Sequence, residues 1–86
     1  MPEVSRFYGI IIQIYFADHN PPHFHAFYGG DSIEIEIRGL SVLAGNIPPR
    51  AFGMVMEWAT IHQAELLEAF MRAQRGLTIS RINPLP

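Results

Sequence analysis

The pattern of apolar and polar positions divides the chain into a strand-rich first half and a helical second half. Isoleucine and aromatic residues fill residues 7–16, which predicts a strand that is buried on most of both faces. A second strand is predicted at residues 23–28, and a third at residues 32–38, where isoleucine alternates with charged side chains. A short fourth strand is expected around residues 41–43. The first half therefore predicts a small antiparallel sheet of three to four strands.

The second half of the sequence predicts one long helix. The double proline at residues 48–49 suits the first helical turn, where the missing N–H of proline costs little. Apolar residues recur at helical spacing as far as residues 74–75, and Gly76 is a typical helix stop. Residues 77–86 would follow as an extended tail that adds an edge strand or lies in a partner's groove. The whole chain, residues 1–86, is therefore expected to form a single α+β domain with the helix packed on one face of the sheet.

The predicted helix has more apolar surface than one contact with a sheet requires. Its main apolar stripe would face the sheet, yet other apolar side chains fall outside this stripe. A helix that is apolar nearly all round is usually covered on more than one side. We therefore expect a second copy of the chain or a small protein partner to cover the remaining residues. These predicted interface residues are Met54, Ile61, Met56, Leu67 and Met71.

The composition limits the classes of function. Hydrophobic residues make up 49% of the 86 residues and charged residues only 16%, which favours a protein that associates with itself or a partner. The six cations are all arginine and the net charge is −2, so direct binding of nucleic acid is not expected. The absence of cysteine excludes disulfides and thiolate metal sites. No signal peptide or membrane span is recognisable in the sequence, which favours a cytoplasmic protein that does not enter a membrane.

Three of the four histidines fall within seven residues of one another, ahead of a glycine pair. If Gly29-Gly30 forms a two-residue hairpin loop, His23 pairs with Glu36 and His25 pairs with Glu34. This register keeps the apolar residues of both strands together on the core face. It places two histidines and two carboxylates together on the opposite face.

Three interpretations of this polar face remain open. The His–Glu pairs can be purely structural cross-strand contacts. They can also form a site for a divalent metal such as zinc, nickel or manganese, because histidines at i and i+2 of a strand share a face. The third interpretation is acid–base chemistry with His23 and His25 as proton carriers, although no nucleophile is evident beside them. The candidate metal ligands are His23, His25, His19, Glu34, Glu36 and Asp18.

The fourth histidine, His62, borders the apolar stripe of the predicted helix beside Trp58. If the helix covers the isoleucine face of the sheet, His62 and the pair His23 and His25 lie on opposite sides and cannot share an ion. We therefore expect His62 to be a hydrogen-bonded histidine at the edge of the core, near Trp58. A three-residue hairpin loop would instead reverse the register and bring the histidines together.

Three separated motifs resemble a known family. The first comprises Ser5–Gly9, Asp18–Ala26 and Tyr28–Gly30, the second comprises Ile47–Ala51, Glu57–Ala59 and His62–Leu67, and the third is Arg81–Leu85. These segments resemble the small bacterial proteins called domain-of-unknown-function 4160, and the resemblance covers nearly the whole chain. The family has no established activity, and its members often resemble one half of a two-gene pair whose other half is a small protein of the domain-of-unknown-function 2442 type. The resemblance thus implies a partner encoded by a neighbouring gene and a toxin–antitoxin-like role.

The residues and the resemblance support two hypotheses about function. The leading hypothesis is a cytoplasmic protein-interaction module that is a homo-oligomer or one half of a two-gene, toxin–antitoxin-like pair. The alternative is a metal-dependent or acid–base enzyme centred on the strand that carries His23 and His25. The sequence leaves open whether the protein is an enzyme.

Overall fold

The computed structural model describes residues 3–86, so the first two residues of the predicted domain lie outside it. Within this range the chain forms β1 (Glu3–Phe7), β2 (Ile10–Gln13), β3 (His23–Tyr28), β4 (Asp31–Glu36), β5 (Val42–Asn46), α1 (Pro49–Ile61) and α2 (Gln63–Gln74). Each strand pairs antiparallel with the next one along the chain, and the sheet order is β1-β2-β3-β4-β5. The predicted α+β class is confirmed. None of the helices described here is long and apolar enough to cross a membrane.

The prediction of three to four strands is wrong because the apolar run at residues 7–16 does not form one strand. The chain turns at Tyr8 and Gly9, whose φ angles are 49° and 81°. These left-handed conformations reverse the chain direction, and β1 then pairs with β2. The other predicted strands are present, with the fourth at Val42–Asn46 rather than at residues 41–43. The described part of the chain therefore has a five-stranded sheet.

The prediction of one long helix is also wrong, because the helix is interrupted at His62. His62 has φ −109° and ψ 22°, outside the helical region, and it separates α1 from α2. The next side chain, Gln63, donates hydrogen bonds to the carbonyl oxygens of Ile37 (2.6 Å) and Arg38 (2.8 Å). These bonds attach the helix break to the residues that directly follow β4. The helical periodicity of the sequence continues through residue 62, so it cannot reveal the break.

The core lies between the helices and the face of the sheet that carries most of the isoleucines. Trp58 of α1 is fully buried within it, with its ring 5.3 Å from Phe7 and 6.1 Å from Phe24 between centroids. Its indole Nε1–H donates to the carbonyl oxygen of Asn83 at 2.7 Å. The largest fully buried side chains also include Phe70, Ile10, Ile12, Ile14, Ile35, Ile37 and Leu66.

The C-terminal tail lies beside β1 of its own chain and does not form the predicted edge strand. The Ile82 N–H donates to the Val4 carbonyl oxygen at 2.7 Å, without forming a further strand. Arg81 pairs with the Glu3 carboxylate at 3.1 Å, and Arg6 pairs with the same carboxylate at 2.7 Å. Hydrogen bonds from Arg6 and, to a smaller extent, from Arg81 lower the pKa of Glu3 to about 2. Because these pairs are exposed, they orient the tail more than they stabilise the fold.

The predicted interface residues of the helix are only partly accessible. Ile61 is 61% exposed and Met71 is 45% exposed. Met54, Met56 and Leu67 are half-buried and pack against the core. The apolar surface that remains for a partner on the helices is therefore smaller than the sequence indicates.

Candidate metal centre

The β3–β4 hairpin has the predicted register. Tyr28 pairs with Asp31 across the glycine turn, His25 pairs with Glu34, and His23 pairs with Glu36. Both histidines therefore lie on one face of the sheet, with the intervening core residues on the other. This places two imidazole rings side by side, 5.1 Å apart between centroids.

The connection between β2 and β3 brings a carboxylate to these two rings. Asp18 Oδ2 lies 2.9 Å from His23 Nε2 and 3.7 Å from His25 Nε2. One potential ligand atom from each of these three residues lies within 4.8 Å of the other two. Asp18, His23 and His25 are called the Asp–His–His cluster below.

The hydrogen bonding of His23 defines which of its nitrogens faces the carboxylate. His23 Nδ1 is 2.7 Å from the carbonyl oxygen of Pro21. A carbonyl oxygen only accepts, so Nδ1 carries a proton and Nε2 is the nitrogen that faces the carboxylate. His23 Nε2 lies 2.9 Å from Asp18 Oδ2. An imidazole nitrogen and a carboxylate oxygen at this distance are bridged by a proton or by a metal cation.

His25 supplies a second nitrogen in the free-base form. Its Nε2 is buried and has no hydrogen-bond partner among residues 3–86. Burial lowers the pKa of His25, which outweighs the opposing effect of Glu34 and Asp18. His25 is therefore neutral near pH 7, and neutral imidazole is the form that binds metal. A buried polar atom without a partner is costly unless a ligand satisfies it.

Asp18 supplies the negative charge of the cluster. Burial alone would raise the pKa of Asp18, but the backbone N–H of His19, at 2.9 Å from Oδ1, and the charges of the neighbouring histidines lower it overall. The side chain is therefore a carboxylate at neutral pH. An anionic oxygen beside two imidazole nitrogens is a suitable ligand set for a divalent cation.

The other three predicted ligands lie outside this group of atoms. Glu34 Oε1 is nearest, at 3.7 Å from His23 Nε2. The Glu36 carboxylate instead accepts a hydrogen bond from Ser41 at 3.1 Å. The His19 side chain is 91% exposed at the rim, with its Nδ1 3.3 Å from Asp18 Oδ1. The structure thus brings together three of the six candidates.

The prediction for His62 is confirmed. Its Nδ1 pairs with the Glu65 carboxylate, and its ring lies 5.5 Å from the Trp58 ring, away from the Asp–His–His cluster. One residue of α2 also contacts the histidine pair. The Phe70 ring of α2 lies 5.5 Å from the His23 ring, and the His23 side chain is only 5% exposed.

Sequence reasoning missed the residues that orient the two rings. The Pro21 carbonyl orients His23, and the Tyr15 ring lies 4.5 Å from the His25 ring. The Tyr15 hydroxyl donates to the Gln13 side chain at 2.9 Å, which holds it in place. No local pattern indicates these contacts, because they depend on the path of the β2–β3 connection.

A shallow cavity of about 110 Å³ opens beside the cluster on the polar face of the sheet. His25, Phe27 and Glu34 line it, together with small residues of β5 that leave the space free. In β5, Gly45 has φ 76°, and an added Cβ would overlap the carbonyl oxygen of Ser32. Asp18 and His23 do not line the cavity, so it reaches the cluster only at His25.

Comparison with known proteins adds a family but no activity. No curated protein and no solved structure matches the chain. A family model described as "Domain of unknown function (DUF4160)" matches residues 9–71, a range that includes the whole Asp–His–His cluster. Since this match covers well over half of the 86 residues, the chain belongs to the DUF4160 family.

Proposed function

We propose that this protein binds one divalent transition metal through Asp18 Oδ2, His23 Nε2 and His25 Nε2, and that it acts as a metal-dependent protein. The observation that carries the proposal is the buried His25 Nε2, which has no hydrogen-bond partner in residues 3–86 and lies 3.7 Å from the carboxylate oxygen that faces His23. A purely structural His–Glu pair on a sheet would not leave this atom unsatisfied.

The distances within the cluster suit a tetrahedral ion. With zinc–nitrogen and zinc–oxygen bonds of about 2.0–2.2 Å, two ligand atoms on one zinc lie roughly 3.3–3.5 Å apart. The two distances from Asp18 Oδ2, 2.9 Å and 3.7 Å, bracket this range, and the two histidine ligand atoms lie within 4.8 Å of each other. Small side-chain movements would therefore accommodate the ion without a change in the fold.

The ligand types favour zinc or a similar ion, and they favour an open site. Imidazole and carboxylate suit zinc, nickel and iron, whereas calcium and magnesium prefer oxygen ligands alone. Structural zinc sites use four protein ligands, while catalytic sites use three and hold water or substrate in the fourth position. The three-ligand cluster beside a cavity matches the catalytic arrangement. A water bound there would be acidified by the metal, with Glu34 nearby as an acceptor.

Zinc titration of the metal-free protein tests the proposal. We expect one zinc ion per chain by native mass spectrometry and a rise in Tm, because a ligand at a hundredfold excess over its Kd stabilises a fold by about 2.7 kcal/mol. For a domain of this size that is a Tm shift of roughly 10 °C or more. Asp18→Asn should lose this shift, whereas Asp31→Asn, on the exposed hairpin turn, should keep it. A wild-type protein that neither retains zinc nor shifts its Tm would contradict the proposal.

We propose protein association as a second function, supported by the exposure of Ile61 and Met71 in a chain with few charges. The occupant would be a second copy or a small protein encoded by a neighbouring gene. Light scattering over a wide range of protein concentration, alone and with that gene product, should show a complex that Ile61→Glu weakens. Val42→Glu, at an exposed apolar position on β5, is the matched control. A wild-type chain that stays monomeric in both experiments would overturn this proposal.

A further inference from the structure

The segment that carries Asp18 is attached to the end of α2. The Ala17 N–H donates to the Ala73 carbonyl oxygen at 3.1 Å. The Gln74 side-chain amide lies within hydrogen-bond distance of the Asp18 carbonyl oxygen (3.3 Å) and of Asn20 Oδ1 (3.4 Å). Two consecutive residues of α2, Ala73 and Gln74, thus hold the backbone on both sides of the Asp18 side chain.

The backbone before Asp18 needs this support. Ala17 has φ 57°, a left-handed conformation that is unfavourable for a residue with a side chain. Such conformations persist where the surrounding structure holds them, and they occur often at functional sites. Here the bond from Ala17 to Ala73 holds the turn that directs Asp18 towards the two histidines.

The same end of α2 contacts a second ligand. Phe70, one helical turn before Gln74, covers the His23 ring at 5.5 Å between centroids. Asp18 and His23 come from a loop and a strand, yet both are positioned by α2. The final turn of α2 therefore positions two of the three residues of the Asp–His–His cluster.

We propose that Gln74 is a positioning residue of the metal centre and that zinc binding is linked to the docking of the α2 end on the β2–β3 connection. This inference rests on the proposed metal-binding function and deepens it. Groups that orient metal ligands typically change metal affinity by about 10- to 100-fold when they are removed. Linkage is reciprocal, so zinc should also stabilise the contact between Ala17 and Ala73.

A matched pair of glutamine variants tests the inference. Gln74→Met keeps the length of the side chain but removes both donor hydrogens. Gln63→Met makes the same change at the other end of α2, where the amide bonds to Ile37 and Arg38 and does not touch the cluster. The Kd for zinc is measured by competition with a chromophoric chelator, and the Tm is measured without metal. We expect Gln74→Met to weaken zinc binding about tenfold or more and Gln63→Met to leave the Kd within about twofold of wild type.

Hydrogen exchange of the wild-type protein gives a test that needs no variant. Zinc should slow the exchange of the Ala17 amide, whereas the Ile82 amide, bonded to Val4, should be much less affected. An unchanged Kd in Gln74→Met, an equal loss in Gln63→Met, or an unprotected Ala17 amide in the zinc-bound protein would each overturn the inference alone. A wild-type chain that binds no zinc would overturn the proposed function and this inference with it.

Discussion

Replacing His25 with leucine should abolish zinc binding without destabilising the metal-free protein. The change removes one of the three proposed ligands, so zinc affinity should fall by at least about a hundredfold, beyond the effect expected of a positioning residue. It also removes a buried nitrogen that has no partner in the described chain, and such an atom costs about 1–3 kcal/mol. The free energy of unfolding without metal should therefore stay the same or rise. Zinc competition and urea denaturation of the same sample measure the two effects.

His62→Leu is the control for this variant. His62 is buried to a similar degree but is paired with Glu65 and lies beside Trp58. The variant should keep wild-type zinc affinity and lose some stability, which is the opposite outcome. If His25→Leu kept the zinc affinity of the wild type, His25 would not be a ligand of the metal.

The largest loss of stability is expected for Trp58→Ala. Trp58 is fully buried, contacts Phe7 and Phe24, and holds the tail through its bond to Asn83. Truncating a buried tryptophan costs about 3–5 kcal/mol, a large share of the roughly 5–15 kcal/mol that stabilises a typical domain. Urea denaturation monitored by circular dichroism should show a much lower midpoint or a chain that is largely unfolded.

Trp58→Phe separates packing from the hydrogen bond. Phenylalanine keeps much of the ring packing but cannot donate to Asn83, so we expect a smaller loss that includes about 1 kcal/mol for this bond. If Trp58→Ala lost no more than Trp58→Phe, the aromatic contacts with Phe7 and Phe24 would not be the centre of the core.

The hairpin could be predicted because its determinants are local. Gly29 has φ 59°, as a tight turn requires, and the alternation of isoleucine with polar residues in β4 allows only one register. That register places His23 and His25 on one face, so the histidine pair followed from the sequence alone.

The division of the first strand has a sequence signal that the apolar run conceals. Gly9 is a turn residue with φ 81°, but Tyr8 before it adopts a left-handed conformation that tyrosine rarely takes, so the run looks continuous. The division of the helix has no such local signal. The break at His62 is held by bonds from Gln63 to the carbonyl oxygens just after β4, 25 and 26 residues away along the chain, so tertiary contacts override the local preference there.

Tertiary contacts also determine which of the candidate ligands lie together. Spacing alone makes Asp18, Glu34 and Glu36 equally suitable carboxylates. Asp18 is selected because the β2–β3 connection is attached to α2, through a contact with Gln74 that spans 56 residues. Glu36 is excluded because Ser41 binds its carboxylate. The local pattern places the candidate ligands on this face, whereas the whole fold determines which of them lie together.

The most direct test of the metal centre is an anomalous difference map, recorded at the zinc edge, from crystals of the zinc-loaded protein. The proposed metal centre predicts one strong peak within about 2.0–2.2 Å of Asp18 Oδ2, His23 Nε2 and His25 Nε2. A map in which zinc lies only on exposed groups such as His19, with no density between these three atoms, would contradict it.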